Sequence, residues 1–286
     1  MDIRNIMNAI HSTWSKPRLY SSGGFYIEDF DILTTILSAL KWQELNGQIK
    51  MVTDSTGFEF YNSRGMTGIW DEITTDLDNM PQTIDPEIFW AAGKLFALSR
   101  SDLPMAIIDT DFIVWERIDF NTLGDLTVIH REELSPGIYP DPDKFLFKNG
   151  YELDDGYNYS ERPANTAFYV IKSDKLKVKY TDAAFEFMEN SAGHDPLTYM
   201  VFAEQRLLAM TANRLGIPIG EFSYMERLFR DGARAFTHTW GMKEQMRRDP
   251  KLRQDFCLRC IKRIVSDFPE HKKVLKEIKE LQPFFT

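Results

Sequence analysis

Cysteine is almost absent from this chain: Cys257 and Cys260 are the two among 286 residues. They stand as CLRC, with no second pair and no histidine at ligand spacing, so a buried helix face is expected rather than a zinc site. So few thiols fit a reducing compartment and not a disulfide scaffold. No apolar run approaches the roughly 20 residues that span a bilayer. The first residues, MDIRNIMNAIHSTW, lack the apolar core and cleavage site of a secretory signal. A cytoplasmic protein is therefore expected, and the sequon Asn158-Tyr159-Ser160 carries little weight. Glycine-rich phosphate loops are missing as well: there is neither a Walker A sequence nor a GxGxxG after the first apolar run. No GxSxG nucleophile elbow occurs. If phosphate is bound, a metal and basic side chains must hold it. Positive charge is scarce overall, the formal net being −9, which argues against wholesale nucleic-acid binding. Residues 242–286 carry 12 Lys+Arg against 7 Asp+Glu, or +5, which leaves −14 for residues 1–241. A solvated helix face is the favoured reading of that basic tail, with phosphates or an anionic membrane surface as the alternative.

Apolar residues make up 43% of the chain and aromatics 13%, enough for a substantial core. Residues 6–14 read as a first strand and 15–24 as a loop with Pro17 and paired glycines. An amphipathic helix is expected over 28–45, with Leu33, Ile36, Leu37 and Leu40 as its apolar stripe, and Asn46-Gly47 as its stop. A strand over 48–53, a short helix over 56–64, a strand over 69–73 and a linker over 76–84 follow. Asp85-Pro86-Glu87 opens a helix expected to run to about Ser101. This rhythm argues for a doubly wound α/β sheet, whose ligands gather at the carboxyl ends of strands. Further strands are expected over 125–130 and 165–171, helices over 182–190 and 197–215, and a helical tail with Phe256, Cys260, Ile261, Ile264, Val265 and Phe268 on one face. The aromatic-rich loop 135–163 reads as a lid over a sugar or as plain packing.

The chain's chemistry centres on residues 104–116, PMAIIDTDFIVWE. Met105 to Ile108 read as a buried strand. Asp109 and Asp111 then point to one side, because strand residues two apart share a face. Two carboxylates that close repel unless a cation, a shared proton or water relieves them. Mg2+ or Mn2+ is the natural partner, the alternative being an acidic turn where a core strand surfaces. His11, Asp54 and the Asp109/Asp111 pair all fall at expected strand ends.

An aspartate-x-aspartate after an apolar strand, about a hundred residues into an α/β chain, resembles the metal site of GT-A glycosyltransferases, most like the retaining galactosyl- and glucosyltransferases of family eight. Lys94 sits where those enzymes often carry a basic residue for the donor. Asn165-Thr166-Ala167-Phe168 resembles their Asn-x-Gly segment, and Glu204-Gln205 their Asp-Gln pair. His238-Thr-Trp-Gly241-Met-Lys243 resembles their late His-x-x-Gly-x-x-Lys, with Lys243 one residue closer to its glycine. The resemblance implies a GT-A fold, with a mixed, mostly parallel sheet flanked by helices. It implies a catalytic domain over 1–241 and a basic helical extension over 242–286 packed on it. The activity implied is transfer of a hexose, with retention, from a nucleoside diphosphate sugar (UDP-hexose) to a glycan or lipid-linked acceptor.

Asp109, Asp111 and His238 would then hold Mn2+ or Mg2+, and Lys94 and Lys243 would meet the diphosphate. His11, Ser12 and Asp54 would read base and ribose, Asn165 would help hold the donor sugar, and Glu204 or Gln205 would lie beneath the reacting carbon. Each has a plainer reading: a surface histidine at 238, a solvated Lys94, a salt-bridged Glu204, an Asx turn or helix cap at Asp54. A nucleotidyltransferase and a non-catalytic nucleotide- or glycan-binding module are the competing functions.

Overall fold

Two short apolar runs start the sheet: β1 (Ala9–Thr13) and β2 (Ile49–Thr53) pair in parallel, and β3 (Glu72–Thr74) joins the far side of β2. The structure is a computed structural model describing residues 5–148, 150–223 and 234–285. β4 (Met105–Ile108) lies parallel to β1 on its other side and is buried throughout, as a strand covered on both faces must be. β5 (Phe112–Val114) leaves this sheet and pairs with β9 (Phe236–His238) in a two-stranded antiparallel ribbon. β6 (Leu126–Val128), β7 (Phe168–Ile171) and β8 (Ile219–Glu221) complete seven strands in the order β3-β2-β1-β4-β7-β6-β8. Only β7 runs against its neighbours. The fold is therefore α/β, with a mixed, mostly parallel sheet flanked by helices and a helical C-terminal tail, as expected.

Alternation along the strands feeds two apolar layers. Ala106 and Ile108 of β4 face the layer of α2 (Asp29–Leu45) and the tail. Met105 and Ile107 face the layer that holds α4 (Ala92–Ser99), α5 (Asp174–Asn190) and α7 (Leu207–Arg214). The tail forms α8 (Lys243–Arg248), α9 (Pro250–Asp267) and α10 (Lys272–Glu277). α9 lies against α2 and buries Phe256, Cys257, Cys260, Ile261 and Ile264. Both cysteines are thus free and on a buried helix face.

Several local expectations are corrected. The segment 15–24 is not a loop but carries α1 (Lys16–Ser22): Pro17 stands in the first turn, where no amide hydrogen is needed, and Gly23 (φ +70°) closes the last. The helix expected from Asp85 makes one turn and stops. Asp85 caps the Glu87 amide at 2.9 Å and the Phe89 amide reaches the Asp85 carbonyl at 2.9 Å, but α4 proper begins at Ala92. The strand expected at 69–73 starts three residues later, after a 3-10 turn at Thr67–Ile69. α5 begins at Asp174, eight residues before the expected start, capped by Ser173. The helix expected over 197–215 is interrupted: α6 (Pro196–Val201) and α7 are joined by a π-turn at Phe202–Arg206. In the loop over 135–163, Tyr139 and Phe145 are buried and Phe147, Tyr157 and Tyr159 pack on the core, so these aromatics serve packing.

Candidate functional site

β4 ends at Ile108, and the chain turns back at once, the Phe112 amide donating to the Asp109 carbonyl at 2.9 Å. Asp109 and Asp111 converge because of this tight turn, not through strand alternation. The Asp109 amide is tied to the Ala167 carbonyl at 2.8 Å. β5 and β9 then bring a third group from far along the chain: His238 is registered opposite Phe112. One atom each from Asp109, Asp111 and His238 lies within 4.8 Å of the others. In an octahedral shell with bonds of about 2.1 Å, ligands sit roughly 3 Å apart in neighbouring positions and roughly 4.2 Å apart in opposite ones. Small side-chain movements close the set, so two oxygens and one imidazole nitrogen could hold a divalent metal ion. Among the described residues no other three His, Cys, Asp or Glu side chains gather this way.

Two lysines meet the acids. Lys94 on α4 donates to Asp109 Oδ1 at 2.6 Å and to the Thr166 carbonyl at 3.0 Å, and pairs with Glu204. Burial alone would lower its pKa, but Asp109 and Glu204 outweigh burial and keep the ammonium charged. Glu204 is itself buried, which pushes its carboxyl up, with Lys94 opposing and Asp109 reinforcing. The π-turn explains how Glu204 gets there. It frees two carbonyls, that of Glu204 taking the Tyr180 hydroxyl at 2.6 Å and that of Gln205 the Ala164 amide at 3.2 Å. On the other side, Lys243 Nζ lies 2.8 Å from Asp111 Oδ2 and 2.9 Å from Asp31 Oδ1. Burial would raise the Asp111 carboxyl, yet the neighbouring His238 imidazole, 3.6 Å away, and the Lys243 ammonium hold it well below the usual range.

These groups border a cleft of about 420 Å³ at the carboxyl ends of β1 and β4. Its wall includes Ser12, Trp14 and Gly93, and its mouth carries the exposed Trp90 and Trp240. Gly93 has no substitute there: a Cβ would come within 2.9 Å of both Trp14 and Leu77. A cleft of about 500 Å³ between residues 82–89 and 188–194 is larger but brings no comparable ligands together.

The remaining expected site residues lie elsewhere. His11 is fully buried and does not line the cleft: the Trp70 indole donates to its Nδ1 at 3.1 Å, and Nε2 meets Ser38 Oγ at 2.9 Å. Asp54 caps α3 (Ser55–Asn62), accepting from the Gly57 amide at 2.8 Å and from Ser15 N and Oγ at 3.0 and 2.7 Å. Asp54 thus serves as a helix cap and does not line the cleft. Asn165 donates to Glu132 at 2.7 Å and borders a separate cavity of about 210 Å³ that shares His238. Gln205 accepts the Tyr139 hydroxyl at 2.5 Å, and neither it nor Glu204 lines the cleft. Sequence reasoning missed Asp31, Arg18 and the three tryptophans. An acid inside an apolar helix was the signal for Asp31. The tryptophans carried none.

A sequence-family profile described as "Family of unknown function (DUF6734)" matches residues 7–141. None of the curated proteins matches the chain. Among solved structures, the inositol-1-phosphate CTP transferase from T. maritima is similar at 13% identity over 76% of this chain and 85% of that one, with a TM-score of 0.38. The galactosyltransferase LgtC, in complex with donor and acceptor sugar analogs, is similar at 11% identity over 78% of this chain and 74% of that one, with a TM-score of 0.39.

Proposed function

We propose that this chain is a metal-dependent glycosyltransferase that moves a hexose from a nucleoside diphosphate sugar, UDP-hexose, to a glycan or lipid-linked acceptor. The observation that carries the reading is the meeting of Asp109, Asp111 and His238 beside two lysines in one open cleft. A bare acidic turn would need neither the histidine from β9 nor the paired ammonium groups. Bound there, Mn2+ or Mg2+ would offset the charge of a diphosphate and favour its departure. The chain's own residues do the rest. Lys243 reaches the same oxygens as the diphosphate from the Asp111 side, and Lys94 supplies positive charge from the Asp109 side. Ser12 and Trp14 wall the cleft where base and ribose would lie, and Trp90 and Trp240 offer faces to a sugar ring.

Glu204, buried behind Lys94, pairs with that ammonium and holds it toward the cleft. Two of the tail's arginines pair with the start of α2, Arg247 with Glu28 at 2.8 Å and Arg253 with Asp29 at 2.8 Å. That spends part of the basic charge on the fold and favours a glycan over a membrane-borne acceptor.

A thermal-shift series with UDP, Mn2+ and both together tests the reading. Ligand at a hundred times its Kd stabilises a native protein by about 2.7 kcal/mol. UDP with Mn2+ should raise the melting temperature, and Asp111→Ala should lose the metal-dependent part. Slow release of UDP from UDP-hexose, stopped by EDTA, is the expected companion. A need for a triphosphate with pyrophosphate release would favour nucleotidyl transfer, and no turnover of either would leave a binding module.

A further inference from the structure

Asp31 is a carboxylate of the first turn of α2, a place that suits negative charge but does not by itself account for its burial. It is 4% exposed and sits among apolar residues. Neither of its carboxylate oxygens receives a hydrogen bond from a neutral group among the described residues. Its partners are cations: Lys243 Nζ at 2.9 Å from Oδ1 and Arg18 Nη2 at 3.5 Å from Oδ2. A buried acid costs several kcal/mol to desolvate and offsets that cost only through close opposite charge. The Lys243 ammonium, mostly buried, is shared almost equally between Asp31 and Asp111, at 2.9 and 2.8 Å. It therefore sits on Oδ2 of Asp111, one of the two oxygens open to a divalent cation, with His238 on the Oδ1 side.

We propose that Asp31 is the positioning residue of the site: it holds Lys243 when a divalent cation takes Asp111, so that the lysine gives up the metal ligand without leaving the cleft. The inference rests on the metal reading of Asp109, Asp111 and His238. An ammonium beside a newly bound dication is strongly repelled, and at a few ångströms the energy depends on having another anion to turn to. Asp31 is that anion, fixed on a helix packed on all sides. It keeps Lys243 Nζ within reach of Asp111 and hence of a diphosphate bound beside it. Without Asp31 the lysine's remaining partner on this side is Asp111, and metal and lysine compete for one carboxylate.

A double-mutant cycle on Mn2+ affinity, measured by electron paramagnetic resonance of free Mn2+ without any nucleotide, tests this. Asp31→Asn should weaken Mn2+ binding about fivefold or more, the scale expected of contacting charged groups. Lys243→Met should strengthen it, since Asp111 is then uncontested. In the Lys243→Met background Asp31→Asn should change Mn2+ affinity by less than about twofold. Equal effects of Asp31→Asn in both backgrounds would show that it acts through charge alone and would overturn the positioning role. Tighter Mn2+ binding in Asp31→Asn would overturn it as well. Absence of Mn2+ binding in the unsubstituted protein would sink the metal reading instead, so the two failures are distinguishable. Should Asp31→Asn lose its native circular dichroism, Lys243→Met alone keeps the proposal open to refutation: unchanged or weaker Mn2+ affinity in that variant contradicts competition for Asp111.

Discussion

His11 shows how one side chain can be essential to the site's frame without touching a ligand. An indole N–H can only donate, so Trp70 fixes Nδ1 of His11 as the acceptor and places the ring proton on Nε2. Nε2 then donates to Ser38 Oγ, whose hydroxyl donates at 2.5 Å to the Phe112 carbonyl, next to the metal-ligand turn. The chain of bonds works only for neutral imidazole. Burial accordingly lowers the His11 pKa to about 3, the charge of Asp111 opposing weakly. A histidine whose folded pKa lies below its unfolded value binds fewer protons folded than unfolded. Its contribution is complete above pH 6.5 and is lost as pH falls from there toward 3. Between about pH 7 and pH 5 this one group should cost the protein about 2 kcal/mol. Urea midpoints for the parent and for His11→Gln at the two pH values check it. The parent should lose more stability than the variant, and equal losses would show that His11 is not held neutral.

At the scale of elements, α2 and α9 explain both what could be read in advance and what could not. The expected apolar stripe of α2 is buried, but so are Thr34, Thr35 and Ser38 on the face that reads as solvent-exposed. The threonine hydroxyls are satisfied locally, Thr34 and Thr35 donating to the Asp31 carbonyl at 3.1 and 2.7 Å, and that of Ser38 reaches across to the Phe112 carbonyl, which lets small polar residues sit under neighbouring elements. Periodicity reports which face is greasy, not which faces are covered. The same limit hid the π-turn, because Glu204 and Gln205 fit a helical pattern equally well. It hid the role of His11 too, since a strand-end histidine looks alike whether its ring faces a cleft or an indole. Asp109 and Asp111 were legible as paired carboxylates in an apolar context, whereas Lys94, His238 and Lys243 were picked out only by resemblance to GT-A motifs; the fold brings all five to one cleft. The reading of CLRC as a buried face leads to a further expectation. Burial raises both thiols, Cys260 to about 12 and Cys257 further. Neither should react with Ellman's reagent at mildly alkaline pH while the protein is native, and both should react in concentrated guanidinium. Reaction of one thiol in the native state would mean that α9 lifts from α2.

On the scale of the whole molecule the open issue is whether residues 242–286 are an appendage on a finished domain or part of its core. Charge alone suggests an appendage, a tail of +5 on a body of −14. Of its ion pairs with α2, Arg247–Glu28 and Arg253–Asp29 are partly exposed and worth about 0–1 kcal/mol each, while Lys243–Asp31 and Lys41–Asp267 are mostly buried and lose much of their attraction to their own desolvation. Apolar burial is the larger force. Phe256, Ile261 and Ile264 of α9, with Leu275 and Ile278 beyond it, share one cluster with Phe30, Ile36 and Leu40 of α2. Each fully buried side chain of this kind contributes about 1.5–3 kcal/mol. Their sum exceeds that of the ion pairs several times over and is insensitive to salt. The tail also delivers Lys243 to Asp111 and Asp31, so the site is incomplete without it. Calorimetry of the full chain should therefore show a single transition that stays single at high salt. A chain ending at Gly241 should show none, since α2 would present its apolar outer face to water. Two separable transitions, the lower one falling as salt is added, would instead mean that the tail is held by charge and folds apart from the sheet.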